Sequence, residues 1–282
     1  MPKKKPRKRS SSSPRGIVVT LRRTAVWLIT AGAISIQATS CGLLPTPSST
    51  PAPSVGHAGP TIATQFTGCR EFFAGGVPPV VRQAPLQREL CYDAFAVLHS
   101  GTTKTPVFVA ERLTRASVED ANEKRTNKFF ADARLPRGER AELSDYKGSG
   151  YARGHMAPAG DMPNATAMAQ SFSLANMVPQ NPAQNSGAWS KIEQDTRKYA
   201  LRAKGNVFVI TGPVFGPESL TVGANRVRVP THLFKLVYDE STGKAWAHWQ
   251  PNSAEARAGR PISYPELTER IGMHLLPSVE VH

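Results

Sequence analysis

The sequence predicts an α+β domain with a mostly antiparallel central sheet flanked by helices. Three observations predict it. Short apolar segments face each other across turn-rich links: Phe95–Leu98 and Val107–Arg112 around residues 100–104, and His232–Tyr238 and Ala245–Trp249 around residues 239–243. Helical signals are confined to a few places, chiefly Trp189–Arg202 and the run after Ser263. Strands and helices mix without the strict alternation that builds a parallel sheet. The 282 residues, 40% apolar and 20% charged, suffice for one large domain or two small ones. They exclude a disulfide-only miniprotein, a collagen-like chain and a wholly disordered one.

Charge is unevenly placed. Residues 1–40 hold nine basic groups (Lys3, Lys4, Lys5, Arg7, Lys8, Arg9, Arg15, Arg22, Arg23) and no acid, so the net +14 leaves +5 for the rest. The pI of 10.0 is therefore no argument that the folded part binds nucleic acid. The uncharged stretch Thr24–Thr39 is shorter than the roughly 20 apolar residues a membrane span needs. A basic flank, a short apolar core and small residues at its end describe an export signal. Its close approach to Lys3–Arg9 disfavours the rival reading of those residues as a nucleic-acid patch or nuclear address. Ala38-Thr39-Ser40-Cys41-Gly42 resembles a bacterial lipobox, with Ala38 where Leu, Val or Ile is usual. It predicts lipidation of Cys41; the alternative is ordinary cleavage and secretion. Residues 1–40 are thus expected to be a lipoprotein-type signal peptide. Residues 41–63, rich in Pro, Ser and Thr, form a tether, and 64–282 form one domain. The expected location is the periplasm or cell envelope, held to a membrane by lipid on Cys41, or the exterior if Cys41 is unmodified.

With Cys41 lipidated, Cys69 and Cys91 remain as a pair that would bridge in an oxidising compartment; the alternative is two buried free thiols. Along the domain, Arg115–Arg140 is polar and reads as helix and loop. Phe172–Asn176 reads as a short strand. Trp189, Ile192, Tyr199 and Ala203 space like one face of a helix that ends at Gly205. Val207–Thr211 reads as a buried strand closed by Gly212-Pro213, and Val227–Val229 as a further strand. Ser263-Tyr-Pro-Glu266 is a capping-box signal for a helix running through Leu275.

The chemistry concentrates in residues 145–193. Singly, its parts are weak signals: a lone His is more often packed than catalytic, a lone Asn caps a turn, and a lone Glu on a helix is solvated. Together, Arg153-Gly154-His155 with Pro158, Asn176 with Pro179-Gln180, and Asn185 with Trp189 and Glu193 resemble the DNA/RNA non-specific endonuclease family. These are the ββα-metal, or His-Me finger, nucleases related to endonuclease G. The resemblance covers nearly all of residues 65–282, including Leu90–Ala96, Pro106–Thr114 and a closing helix in Ile262–Pro277.

The resemblance implies a ββα-metal site and a Mg2+-dependent endonuclease, with Mn2+ able to substitute, that acts on DNA and RNA with little sequence preference. It implies His155 as general base, Arg153 as a phosphate-binding fork beside it, and Gly154 as a bend in the backbone. Asn185 would hold the metal through its carbonyl oxygen, and Glu193 would grip water on that metal. Asn176 would line the same cleft. Arg125 matches an upstream phosphate-binding arginine, its alternative being a solvated surface residue. On a regular helix Asn185 and Glu193 lie about 12 Å apart along the axis, too far to share one coordination shell. The family reads Asp-Arg-Gly-His where this chain has Ala152, which predicts lowered activity or a shifted His155 pKa. Two other readings compete: a catalytically impaired nucleic-acid-binding lipoprotein, and a phosphodiesterase or toxin nuclease with a narrower substrate. A homodimer and an inhibitor protein are compatible partners that leave no mark in the sequence.

Overall fold

Side-chain alternation along the strands of one seven-stranded sheet sets the architecture of residues 59–282, the part described by the computed structural model. The expected export signal, Cys41 and the tether to residue 58 lie outside the described residues. β1 (Thr61–Ala63) pairs antiparallel with β2 (Val80–Arg82), so residues 61–63, assigned above to the tether, belong to the folded part. β3 (Gln87–Cys91), β4 (Phe95–Ser100) and β5 (Thr105–Leu113) form a meander. After α1 (Arg115–Glu119) and α2 (Leu143–Tyr146), β6 (Ala152–His155) leads through α3 (Ala165–Ser171) to β7 (Met177–Gln180). α4 (Pro182–Gln184) then runs through a π-turn at Asn185–Trp189 into α5 (Ser190–Ala200).

β8 (Val207–Val214) returns to the main sheet. β9 (Thr221–Val222) and β10 (Val227–Arg228) make a separate two-stranded ribbon, and β11 (His232–Asp239) and β12 (Lys244–Pro251) make the expected hairpin. β13 (Ile262–Ser263) and α6 (Tyr264–Ile271) close the chain. The main sheet has the order β13-β12-β11-β8-β5-β4-β3, and every neighbouring pair is antiparallel. The predicted α+β class with a mostly antiparallel sheet is the observed one.

The two faces of this sheet differ. On one, Phe234, Leu236 and Tyr238 of β11 pack with Phe108, Phe208 and Ile210, and with Phe66, Phe73 and Leu267 from outside the sheet. On the other, Val109, Leu233, Val209 and Val237 lie beneath the segment that carries Trp189 and Ile192. Gly212 marks the tightest point: a Cβ there would come within 2.7 Å of both the Phe234 ring and the Val107 carbonyl oxygen. That fit lets β8 continue through Gly212-Pro213 to Val214 and pair with His232, instead of stopping at Thr211 as expected.

Three other expectations are corrected. Phe172–Asn176 is not a strand: the Ser173 hydroxyl accepts from the Ala175 amide at 3.2 Å and caps a 3-10 turn at Leu174–Asn176. Val227–Val229 contributes only Val227–Arg228, outside the main sheet. α6 ends at Ile271, not Leu275, because Gly272 takes a left-handed φ of 63° and its N–H closes onto the Thr268 carbonyl at 2.8 Å. Cys69 and Cys91 are disulfide-bonded, with Cα atoms 5.8 Å apart, which removes the free-thiol alternative. Closing a loop of 22 residues stabilises the fold by about 3 kcal/mol in the chain-entropy account.

Candidate active site

β6 and β7 form an antiparallel ribbon with Arg153 opposite Pro179 and His155 opposite Met177. The helical segment from Pro182 to Ala200 follows directly, completing a strand–strand–helix unit. Gly154 is extended and does not bend the chain. A Cβ at that position would overlap the Gln180 side chain, so glycine is required by close packing across the ribbon. The Gln180 amide in turn donates to Gln184 Oε1 at 2.6 Å and ties β7 to α4. Strand alternation sends Arg153 and His155 to one side of the ribbon and Ala152 and Gly154 to the other.

The helical segment has its own irregularity. The Ser190 amide reaches back five residues to the Asn185 carbonyl, which inserts one extra residue into the turn. On a regular helix, positions eight apart point about 80° away from each other. The inserted residue makes them behave like positions seven apart, about 20° from alignment. Asn185 and Glu193 thereby share a face, and Ser186, Ser190 and Arg197 join them.

A cleft of about 390 Å³ is lined by Arg125, Arg153, His155, Pro158, Asn185, Glu193 and Arg197, among others. Five of the six expected active-site side chains therefore meet in one place. Asn176 is the exception and is a correction. It is 0% exposed, its Nδ2 donates to the Ala157 and Ser171 carbonyls at 2.9 Å, and its Oδ1 accepts from the Ala157 amide at 2.9 Å. Its work is to fix the chain just after His155, and its complete burial keeps it from a substrate.

His155 is 7% exposed and its Nε2 is buried without a partner. Its ring meets Phe172 edge-on at 5.1 Å and Phe129 at 5.9 Å. Burial in this aromatic pocket, reinforced by the Arg125 charge, pushes its pKa down to about 3, so the imidazole is neutral near pH 7. The same rings aim the two cations. Arg153 lies 4.6 Å over Phe129, and Arg125 lies 5.0 Å over Phe172 with its Nε donating to Asn127 Oδ1 at 2.7 Å. Arg125 is exposed, yet it faces the cleft and is not merely a solvated surface residue.

Glu193 belongs to a set of charges whose other members sequence reasoning missed. Burial pushes the Glu193 carboxyl up to about 7, an effect offset in part by Lys235. Burial also raises Asp161, which accepts from Arg197 at 2.6 Å, and raises Glu111 well above the ordinary carboxylate range. Arg197 was legible in principle, since it lies four residues after Glu193 on the same helical face. Glu111 and Lys235 sit inside strand patterns and carry no local signal.

The family model for the DNA/RNA non-specific endonuclease matches residues 78–273, which includes every residue of this cleft. The chain belongs to the DNA/RNA non-specific endonuclease family. Among relatives in this family, the mitochondrial nuclease EXOG of Xenopus laevis is 36% identical over 163 residues, 54% of this chain and 45% of that protein. Human mitochondrial endonuclease G is 34% identical over 165 residues, 55% of this chain and 53% of that protein. The chain thus spans about half the length of the curated relatives it matches. The solved structure of an EndoG/EndoGI complex shares the fold, with a TM-score of 0.65 over 77% of this chain and 93% of that one at 24% identity.

Proposed function

We propose that this non-specific endonuclease family member is a divalent-metal-dependent endonuclease that hydrolyses phosphodiester bonds of DNA and RNA. The single observation that carries the reading is the convergence of His155, Arg153, Asn185 and Glu193 on one cleft. The His155 imidazole is neutral, the protonation state a general base needs to take a proton from an attacking water. Arg153 and Arg125, held over the rings of Phe129 and Phe172, present guanidinium donors to a backbone phosphate. Contacts of this kind grip phosphate and ignore base edges, which suits weak sequence preference.

The residues present fit a hard cation such as Mg2+, with Mn2+ as substitute. The Asn185 amide and the Glu193 carboxylate line the cleft without a protein hydrogen-bond partner among the described residues, and both offer oxygen. No group of three or more His, Cys, Asp or Glu side chains able to hold a metal occurs among the described residues. Asn185 would hold the ion, with Glu193 beside it, and so few protein ligands suit Mg2+, which dehydrates reluctantly. When bound, it neutralises phosphate charge and eases departure of the leaving oxygen.

Supercoiled plasmid incubated with Mg2+ tests this reading against the impaired-site alternative. Cleavage that stops with chelator and in Asn185→Ala is expected; intact plasmid in all arms, with folded protein, overturns it. Parallel rates on single-stranded DNA, duplex DNA and RNA separate a broad nuclease from a narrower one. We further propose export and anchoring through lipid on Cys41, with a single folded domain from about residue 61. Mass spectrometry of the mature amino terminus is expected to give a diacylglyceryl-modified cysteine; an unmodified terminus elsewhere overturns the anchor.

A further inference from the structure

Lys235 is 1% exposed, in the middle of β11, on the sheet face that carries the cleft. A lysine there sets a desolvation cost that must be offset by specific partners. Its Nζ donates to Thr211 Oγ1 at 2.7 Å, directly across the β11–β8 pairing. The same Nζ lies 5.7 Å from the centre of the Trp189 ring. Trp189 is 0% exposed and is the last residue of the π-turn that begins at Asn185. The ammonium therefore joins the rigid centre of the sheet to the one irregular turn that places Asn185 and Glu193 on a common face. Glu111, from β5 on the far side of β8, is equally buried, and neither carboxyl oxygen has a hydrogen-bond partner.

We propose that Lys235 is a positioning residue: anchored to Thr211, its ammonium seats the Trp189 ring and so holds the Asn185–Trp189 turn in the π geometry that aims Asn185 into the cleft. The link to metal binding rests on the function proposed above; the link to the turn does not. Regular α-helical hydrogen bonding competes with the π-turn at every residue of the segment. An alkyl chain of the same length would fill the space of Lys235 but attract the indole face less strongly.

Hydrogen exchange across residues 185–193, without metal or nucleic acid, tests the inference directly. Lys235→Met is expected to exchange at least tenfold faster there than the parent, with β4 unchanged. Lys235→Arg is expected to stay within about threefold. Mn2+ affinity by electron paramagnetic resonance is expected to fall at least tenfold in Lys235→Met, with kcat falling similarly and KM for DNA moving less than threefold. Unchanged exchange in residues 185–193 overturns the proposal. So does tighter Mn2+ binding, because Lys235 would then act only as a local repelling charge. Should Lys235→Met fail to fold, Thr211→Val removes the anchor but keeps the ammonium, and the same loss of protection in 185–193 is required. The parent protein's failure to bind Mn2+ or cleave DNA would sink the nuclease reading and leave the exchange result to decide the role of Lys235.

Discussion

The two faces of the central sheet are built from the same strands and obey different rules. On β11, Phe234, Leu236 and Tyr238 enter an aromatic and aliphatic core, while the intervening Leu233, Lys235 and Val237 face the cleft side. The first face is continuous apolar packing, where Phe66, Phe73 and Phe108 meet at ring distances of 4.9–6.3 Å. The second carries Glu111, Thr211 and Lys235 at positions as deeply buried as the phenylalanines behind them. One face holds the fold together and the other holds charges in place for chemistry. Buried charge is a poor source of stability, so the apolar face must supply most of it.

The largest expected effects break the comparison by acting on one face only. His155→Ala is expected to lower kcat about 10²- to 10⁴-fold, the range for a lost general base, with the melting temperature nearly unchanged. Phe234→Ala is expected to do the reverse. Its ring is 0% exposed and seated on Gly212, so truncation should cost about 3–5 kcal/mol. Calorimetry should show a melting temperature lower by roughly 10 °C. The rate per folded molecule should be unchanged; a large drop in kcat would mean the two faces are not separable.

A second test uses pH. The folded-state pKa of His155, about 3, lies below its ordinary 6.5. Between those values the unfolded chain binds more protons than the native one, so this group's contribution falls as pH drops from 6.5 towards 3. Glu193 acts oppositely: its raised pKa of about 7 means stability is lost as pH rises from 4.5 to 7. Replacing His155 with Phe should therefore flatten the acid side. Urea unfolding at pH 6.5 and 4.5 should show the parent losing on the order of 2 kcal/mol more than His155→Phe. Equal losses would mean that His155 is not held neutral by its aromatic pocket.

Sequence reasoning reached the hairpin and most of the long strands through alternation and turn residues, the disulfide pair through the cysteine count, and five cleft residues through the motif that resembles the family; it did not reach the β6–β7 ribbon that carries His155. It misplaced Asn176 because spacing cannot tell a side chain that touches substrate from one that pins the loop behind the base. It could not see the π-turn, since one inserted residue changes hydrogen bonding without changing composition. The regular-helix estimate therefore gave the axial separation of Asn185 and Glu193 but not the face they share. Glu111 and Lys235 were invisible for a related reason: a charged residue in a strand reads as solvent-facing, and only the strand order places helix α5 over it.

The smallest expected effect concerns Ala152, where the family pattern carries Asp. Ala152 stands opposite Gln180 on the ribbon, and strand alternation turns its side chain to the same side as Gly154. Arg153 and His155 point the other way, into the cleft. A carboxylate restored at 152 would therefore meet the Gln180–Gln184 amide pair before it met the imidazole. Ala152→Asp is expected to change kcat by less than about threefold, in line with a charge that acts through the ribbon and not on the base. The acid limb of the pH–rate profile should stay in place. A gain of tenfold or more, or a limb moved upward by a full pH unit, would show that position 152 governs the His155 imidazole directly, and the division of labour between the two sides of the ribbon would have to be redrawn.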